Sequence, residues 1–327
     1  MKHPPRSYIV IRPCEAGDFY MQINAVFEGG GVKGISLAGA VKAAENAGMV
    51  FSRVAGTSSG SIVASVLAAG YRADEIKRII EETPFHSFLQ RAPIFNTKFI
   101  GPALRVLIKK GLYSGEALEN WIREILLAKG IFTFSDIPAG KLYIVASDIT
   151  NGRLLVLPDD LRQYGINPAT FPVAKAVRMS CSIPYFFDPV ILRLLGRAAK
   201  GKSFGEQFVY IVDGGLLSNF PLWLFDRESK GGPKPLPVLG FQMVGKNSNL
   251  PHLIEGPIGM LTAMFETMLS AHDERYIEQQ NRNRTIKIPT LGIGTTHFNL
   301  TKEESENLYN SGLTAGTMFF TRWNAEH

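Results

Sequence analysis

The sequence has little cysteine and no long apolar run. Its cysteines are Cys14 and Cys181, which form no CxxC pair, so a disulfide framework and a four-thiolate zinc site are both excluded. The apolar runs are far shorter than the ~20 residues that span a bilayer. The first residues hold two prolines and no apolar stretch typical of a signal peptide. We therefore expect a cytoplasmic protein without a transmembrane segment, which contacts membranes only peripherally.

Low-complexity segments and internal repeats are also missing. Charged residues make up 20% and hydrophobic residues 45% of the 327 residues, and the 32 glycines and 19 prolines are spread along the chain. A chain of this size buries roughly 75% of its unfolded surface, so it can form a large core without disulfides. We expect an irregular lead-in over residues 1–20 and a single domain over residues 21–327.

Two consecutive strand–loop–helix units are present near the start of this domain. The first runs from an apolar strand at residues 23–27 through Glu28-Gly-Gly-Gly into a helix at residues 35–47. The second runs from a strand at residues 50–55 through Gly-Thr-Ser-Ser-Gly into a helix at residues 61–69. Such units predict an α/β fold with a mostly parallel central sheet that is covered by helices on both faces.

The second loop carries a candidate nucleophile. Gly56-Thr-Ser58-Ser-Gly60 satisfies the pattern GxSxG at a strand-to-helix junction, where a sharp turn exposes the central serine and side chains in place of the flanking glycines would strike neighbouring strands. The pattern alone is weak, and a serine- and glycine-rich turn that caps a helix is the alternative. The strand-to-helix position favours Ser58 as a nucleophile.

The first loop, Gly29, Gly30, Gly31, Val32, Lys33 and Gly34, admits three interpretations. A dinucleotide fingerprint needs an acid about 20 residues further on, where Arg53, Val54 and Ala55 stand instead. A phosphate-binding P-loop needs Gly-Lys-Ser/Thr, whereas Lys33 precedes the last glycine. The remaining interpretation is an oxyanion hole, in which glycine N–H groups at the positive end of a helix face a developing negative charge.

The serine also needs a base. None of the six histidines follows a strand in the way that a triad histidine of an α/β hydrolase does. Asp213 ends an apolar strand at residues 208–212 and is followed by Gly214 and Gly215. An ordinary turn aspartate is the alternative, but the position makes Asp213 the best candidate base.

The three motifs EGGGVKG, GTSSG and DGG, in this order, resemble the patatin-like phospholipase family from about Ala25 to Leu222. The resemblance implies a Ser–Asp dyad of Ser58 and Asp213, an oxyanion loop at Gly29–Gly34 and lipid ester substrates. It implies no cofactor and no metal. Ser61 departs from the family, which often has glycine there.

Two further features concern lipid contact. Arg193, Arg197, Lys200 and Lys202 alternate with apolar residues in a segment without acids, and the chain carries a net charge of +6. This combination suits docking on anionic lipid, and a solvated loop is the alternative. Met260, Met264 and Met268 share a predicted helical face, for which we favour core packing over an acyl-chain groove.

The resemblance to this family, supported by these features, implies a lipid acyl hydrolase of the phospholipase A or lysophospholipase type, acting through an acyl-enzyme on Ser58. The competing hypothesis is a catalytically silent or nucleotide-binding α/β regulatory protein that uses the glycine loop. No nucleic-acid partner is predicted.

Overall fold

The computed structural model describes residues 20–89, 110–226, 236–245 and 281–326, with Ile254, Met260, Ala263, Met264 and Thr267 between the last two ranges. The predicted lead-in lies outside the described residues, apart from Tyr20. The strands are β1 Met21–Phe27, β2 Met49–Thr57, β3 Gly111–Tyr113, β4 Leu142–Asp148, β5 Arg153–Leu157, β6 Tyr185–Phe187, β7 Val190–Arg193, β8 Phe208–Asp213, β9 Val238–Val244 and β10 Thr285–Pro289. The helices are α1 Ile35–Asn46, α2 Ser59–Ala68, α3 Ala73–Glu82, α4 Glu116–Ala128, α5 Val173–Ser180, α6 Trp223–Asp226 and α7 Lys302–Glu326.

Eight strands form one central sheet in the order β10-β9-β1-β2-β4-β8-β7, with β5 paired to β4. The five strands from β10 to β4 are mutually parallel. Strands β5 and β8 both run antiparallel to β4. The mostly parallel α/β sheet expected from the sequence is confirmed.

The register brings two strand ends together. Thr57, the last residue of β2, pairs with Val145 of β4, and the next residue of β4, Ala146, pairs with Asp213 at the end of β8. Strand β8 runs in the opposite direction but pairs with only the last three residues of β4, so its final residue, Asp213, lies near the carboxyl ends of the parallel strands. This edge of the sheet is where ligands bind in open α/β folds.

Both faces of the sheet are covered. Successive residues of a strand point to opposite faces, so Phe27 of β1 joins the main core under the helices while Val26 packs with Phe220 and Phe225 on the other face. In the main core the Phe27 and Phe241 rings stack with centroids 4.7 Å apart. A rigid packed core therefore lies directly beneath the strand ends.

One interpretation of the sequence is wrong. Met260 and Met264 lie in helical backbone but are 54% and 52% exposed, so they do not pack in the core. Met268 lies outside the described residues. The spacing of these methionines predicts a helix, but it does not reveal which face is covered.

Candidate active site

Ser58 stands at the junction of β2 and α2 in a strained conformation. Its backbone has φ 51° and ψ −127°, in a region that residues with a Cβ rarely adopt. Gly56 and Gly60 make this turn feasible, because a Cβ on Gly56 would overlap the Gly60 carbonyl and one on Gly60 would overlap the Phe27 carbonyl. The predicted elbow is therefore built as the motif requires.

The Ser58 hydroxyl donates a hydrogen bond of 2.7 Å to Oδ2 of Asp213. The other carboxylate oxygen accepts the Gly215 N–H at 2.8 Å. A Cβ on Gly214 would overlap the Val145 carbonyl, so glycine at that position lets the turn after Asp213 pack on β4. The structure thus brings both predicted dyad residues together, although they are 155 positions apart.

Burial makes Asp213 a better base than an exposed aspartate. Its side chain is 1% exposed, and this desolvation raises its pKa to about 7, against the opposing effect of the hydrogen bonds from Ser58 and Gly215. A base is most effective when its pKa is near the working pH. The carboxylate is therefore matched to proton abstraction near neutrality.

The end of α5 and the two residues that follow it hold Ser58 and Asp213 in place. The Ser180 hydroxyl accepts the Ser58 N–H at 2.8 Å and donates to the Val145 carbonyl at 2.6 Å. Two residues on, the Ser182 carbonyl accepts the Asp213 N–H at 2.9 Å. One short stretch of chain thus fixes the backbone of the serine and of the aspartate at the same time.

Arg178 anchors that stretch from inside the protein. Its guanidinium is buried, which lowers its pKa, and it donates to the Ser182 hydroxyl and to the Asp188 carbonyl. A Cβ on Gly115 would overlap the guanidinium. An arginine in the interior needs such a set of acceptors, because a buried charge without partners is costly.

The glycine loop lies beside Ser58. Asn219 holds the first residue of the loop through two hydrogen bonds. The Gly29 N–H donates to the backbone carbonyl of Asn219 at 3.2 Å, and the side-chain amide of Asn219 donates to the Gly29 carbonyl at 3.1 Å. Gly31 has φ +59°, and a Cβ there would overlap the Thr295 carbonyl. The loop is therefore held on two sides by residues far away in the sequence.

The donors of the loop are not equivalent. Gly30 N–H donates to the Ser59 hydroxyl at 3.1 Å, and a Cβ on Gly34 would lie 2.6 Å from the Ser59 Cβ. The N–H groups of Gly31 and Ser59 have no acceptor among the described residues. Gly31 and Ser59 line the same cavity as Ser58, so their N–H groups are candidates to bind an oxyanion, whereas the Gly30 N–H docks the loop on Ser59.

The remaining predicted residues are in other positions. Arg193 ends β7, two strands away from β4, and its guanidinium lies 5.8 Å and 5.9 Å from the ring centroids of Phe204 and Phe208. The other three cations, Arg197, Lys200 and Lys202, follow it, and all four are exposed. Lys33 is partly buried, and its Cε would lie 3.3 Å from a Cβ on Gly30. The four basic residues therefore form a surface separate from the dyad.

Histidines and metal-binding clusters are the other groups that could activate a hydroxyl. His86 and His297 are exposed, and neither forms a hydrogen bond with Ser58 among the residues that the structure describes; His252 and His272 lie outside them. Within the same residues, no group of three His, Cys, Asp or Glu side chains could hold a metal ion. The Cys181 thiol is buried, which raises its pKa and keeps it protonated.

The hydroxyl contacts of Ser59 and Ser180 and the part played by Asn219 were not identified from the sequence. Asn219 follows Asp213-Gly-Gly by four residues and precedes Phe-Pro, and this spacing was the available signal. A larger cavity of about 890 Å³ lies between β10 and α7, but neither dyad residue lines it.

Comparison with known proteins shows the family to which this chain belongs. The family model described as patatin-like phospholipase matches residues 25–226, and the chain belongs to this family. It is 42% identical over 304 residues to YqhO of Bacillus subtilis, covering 93% of this chain and 99% of that protein. It is 28% identical over 208 residues to the cUMP-AMP-activated phospholipase of Escherichia coli, covering 59% and 54% of the two chains. The crystal structure of VipD from Legionella pneumophila has a TM-score of 0.49 at 18% identity, covering 93% of this chain and 67% of that one.

Proposed function

We propose that this protein is a lipid acyl hydrolase of the phospholipase A or lysophospholipase type that uses Ser58 and Asp213 as a catalytic dyad. The observation that carries the proposal is the 2.7 Å hydrogen bond from the Ser58 hydroxyl to a buried carboxylate whose pKa is raised to about 7. Membership of the patatin-like phospholipase family supports lipid esters as the substrate class.

The mechanism has two half-reactions. Asp213 accepts the hydroxyl proton while the Ser58 oxygen attacks the ester carbonyl, and the N–H groups of Gly31 and Ser59 stabilise the negative oxygen that forms. The C–O bond to the alcohol then breaks, and the alcohol leaves with the proton from Asp213. In the second half-reaction Asp213 accepts a proton from water while the water oxygen attacks the acyl-enzyme carbonyl. The bond to the Ser58 oxygen then breaks, the proton from Asp213 returns to that oxygen, and the fatty acid is released.

A lipid hydrolase must also reach its substrate at an interface. Arg193, Arg197, Lys200 and Lys202 form an exposed basic surface beside Phe204, which is 71% exposed. Aromatic and basic side chains together suit the boundary of an anionic membrane. In the described chain, the helices are too short or too polar to cross a bilayer. We therefore propose that the protein docks peripherally through this surface.

Labelling with a fluorophosphonate probe tests the dyad. The probe reacts with an activated serine, so the parent is expected to be labelled and Ser58→Ala is not. Ser65→Ala is the matched control, because Ser65 is buried in α2 and donates to the Ile62 carbonyl away from the dyad. Equal labelling of Ser58→Ala and the parent would refute Ser58 as the nucleophile.

A nucleotide thermal-shift panel tests the competing hypothesis. The glycine loop packs directly against Thr295 and Asn219, and no acid follows at the position of a ribose contact. We expect no nucleotide to raise the melting temperature. A saturable rise in melting temperature with a nucleotide, in a protein that the fluorophosphonate probe does not label, would favour the regulatory alternative.

A further inference from the structure

Two narrow cavities lie next to the nucleophile. The proximal cavity has a volume of about 60 Å³ and is lined by Ser58 itself, with Leu118, Ile183, Phe187 and Phe298 among its walls. The distal cavity has a volume of about 70 Å³ and lies between α1, α2 and α3. Only the proximal cavity touches the reacting group.

The walls of both cavities are suited to hydrocarbon. The distal cavity is enclosed mainly by aliphatic side chains of the three helices, namely Ile35, Val63, Val66, Ile76, Ile79 and Ile80. Among the described residues, no charged side chain lines either cavity. Apolar cavities of this kind bind apolar ligands in preference to water, which needs two or more polar partners.

The two cavities meet at shared walls. Both are lined by Ser59, Ile62, Phe85 and Trp121, and by residues of the glycine loop. An acyl group whose carbonyl carbon is attached to Ser58 would have its oxygen at the loop N–H groups. Its chain would then continue past Ile62, through the proximal cavity, towards the distal one.

Trp121 is held rigidly at this shared wall. Its indole N–H donates to the Thr83 hydroxyl at 3.0 Å, and its ring lies 5.3 Å from the Phe88 ring centroid. Because a hydrogen bond and ring packing both fix the indole, it cannot easily move aside to make room for a longer acyl chain. The indole is therefore suited to limit the volume that the two cavities offer to an acyl chain.

We propose that the two cavities form one acyl-chain site and that Trp121 limits the acyl group to about six carbons. An engineered apolar cavity of about 150 Å³ binds benzene, so by the same measure cavities of 60 and 70 Å³ hold about five carbons beyond the carbonyl. The inference rests on the proposed function, because the acyl chain enters as the ester of Ser58. It refines that function to short- and medium-chain acyl esters.

A chain-length series on the purified protein tests the proposal. Monomeric p-nitrophenyl esters from acetyl through butyryl, hexanoyl and octanoyl to dodecanoyl are compared by kcat/KM. Each buried methylene contributes about 0.8 kcal/mol, or about fourfold. We expect kcat/KM to rise by up to this factor per methylene as far as hexanoyl and to fall by dodecanoyl.

Variants then move the limit in opposite directions. Trp121→Ala, or the milder Trp121→Leu, is expected to shift the maximum to longer chains. Ile80→Trp fills the distal cavity and is expected to shift it to shorter ones. Ile125→Trp is the matched control, because Ile125 is also half-buried but lines neither cavity.

The outcomes separate this proposal from the one on which it depends. An active parent whose kcat/KM keeps rising to dodecanoyl would overturn the chain limit while leaving the dyad intact. Folded Trp121 variants with the parent profile would overturn the role of Trp121. Failure to hydrolyse any ester, together with no fluorophosphonate labelling, would overturn the proposed function itself.

Discussion

The proposed dyad and the basic surface differ in how far their charged groups are exposed to water. Asp213 is 1% exposed and its carboxylate is bonded to a hydroxyl and a backbone N–H, whereas the four cations of the basic surface are exposed. Burial changes the chemistry of a charge by shifting its pKa. Exposed charges interact through water and are screened by salt. Substitutions in the two regions should therefore have different consequences, which can be measured.

The largest effect is expected at the dyad. Ser58→Ala should abolish turnover of a butyryl ester, and Asp213→Asn should lower kcat by about 10²- to 10⁴-fold, the usual contribution of a general base. The double variant should be no worse than Ser58→Ala, because the two groups act as a unit. Circular dichroism checks that each variant is folded. A folded Asp213→Asn within tenfold of the parent would rule out the dyad.

The pH dependence of kcat/KM tests whether the base is a buried carboxylate with a raised pKa or an exposed one with an ordinary pKa. Because Asp213 must be ionised to accept a proton, kcat/KM should rise about tenfold per pH unit below its pKa of about 7 and level off above it. A rate that is flat from pH 5 to pH 8 would show that the base titrates elsewhere.

The same shift makes stability depend on pH. The folded pKa of Asp213 lies above its unfolded value of about 3.9. The parent should therefore lose stability as the pH rises from about 4 to about 7. Asp213→Asn should lack this loss, which thermal denaturation at several pH values would reveal.

An intermediate effect is expected at Ser59. Its hydroxyl accepts the Gly30 N–H, and a typical hydrogen bond is worth about 0.5–1.5 kcal/mol. We expect kcat to fall about two- to tenfold with KM little changed, because the loop is misplaced in the transition state. Ser65→Ala serves as the control, and an equal loss in both variants would indicate a merely structural effect.

The smallest effect on chemistry is expected at the basic surface. Replacing its four cations by glutamine removes about 1 kcal/mol of membrane attraction per charge, so co-sedimentation with anionic vesicles at low salt should fall strongly while soluble ester hydrolysis stays constant. The matched control removes four exposed cations elsewhere, Arg78, Lys287, Lys302 and Arg322. Equal vesicle binding by the two quadruple variants would mean that the surface is an ordinary solvated loop.

The sequence predicted local structure well wherever periodicity and strand-end motifs were clear. The strands expected at residues 23–27 and 50–55 are present as Met21–Phe27 and Met49–Thr57, and the helices expected at residues 35–47 and 61–69 are present as Ile35–Asn46 and Ser59–Ala68. The positions of Ser58 and Asp213 followed from the glycines around them. These signals are short-range, because a tight turn or an apolar strand depends on residues that are adjacent in the sequence.

The supports of the site could not be predicted in this way. Ser180 contacts Ser58 across 122 positions, and Asn219 contacts Gly29 across 190. A lone arginine such as Arg178 predicts an exposed side chain, and only the folded chain shows that Gly115 leaves space for its guanidinium. Such contacts depend on sheet order and on the path of distant loops, which local patterns do not determine.

The strained backbone of Ser58 also bears on how this protein could be made more heat-resistant. A residue with a Cβ in such a conformation costs on the order of 1–3 kcal/mol, a noticeable share of the roughly 5–15 kcal/mol by which domains are stable. Glycine would relieve this strain. A screen that rewards melting temperature alone is therefore expected to recover Ser58→Gly, in which the fold improves and the reactive hydroxyl is gone.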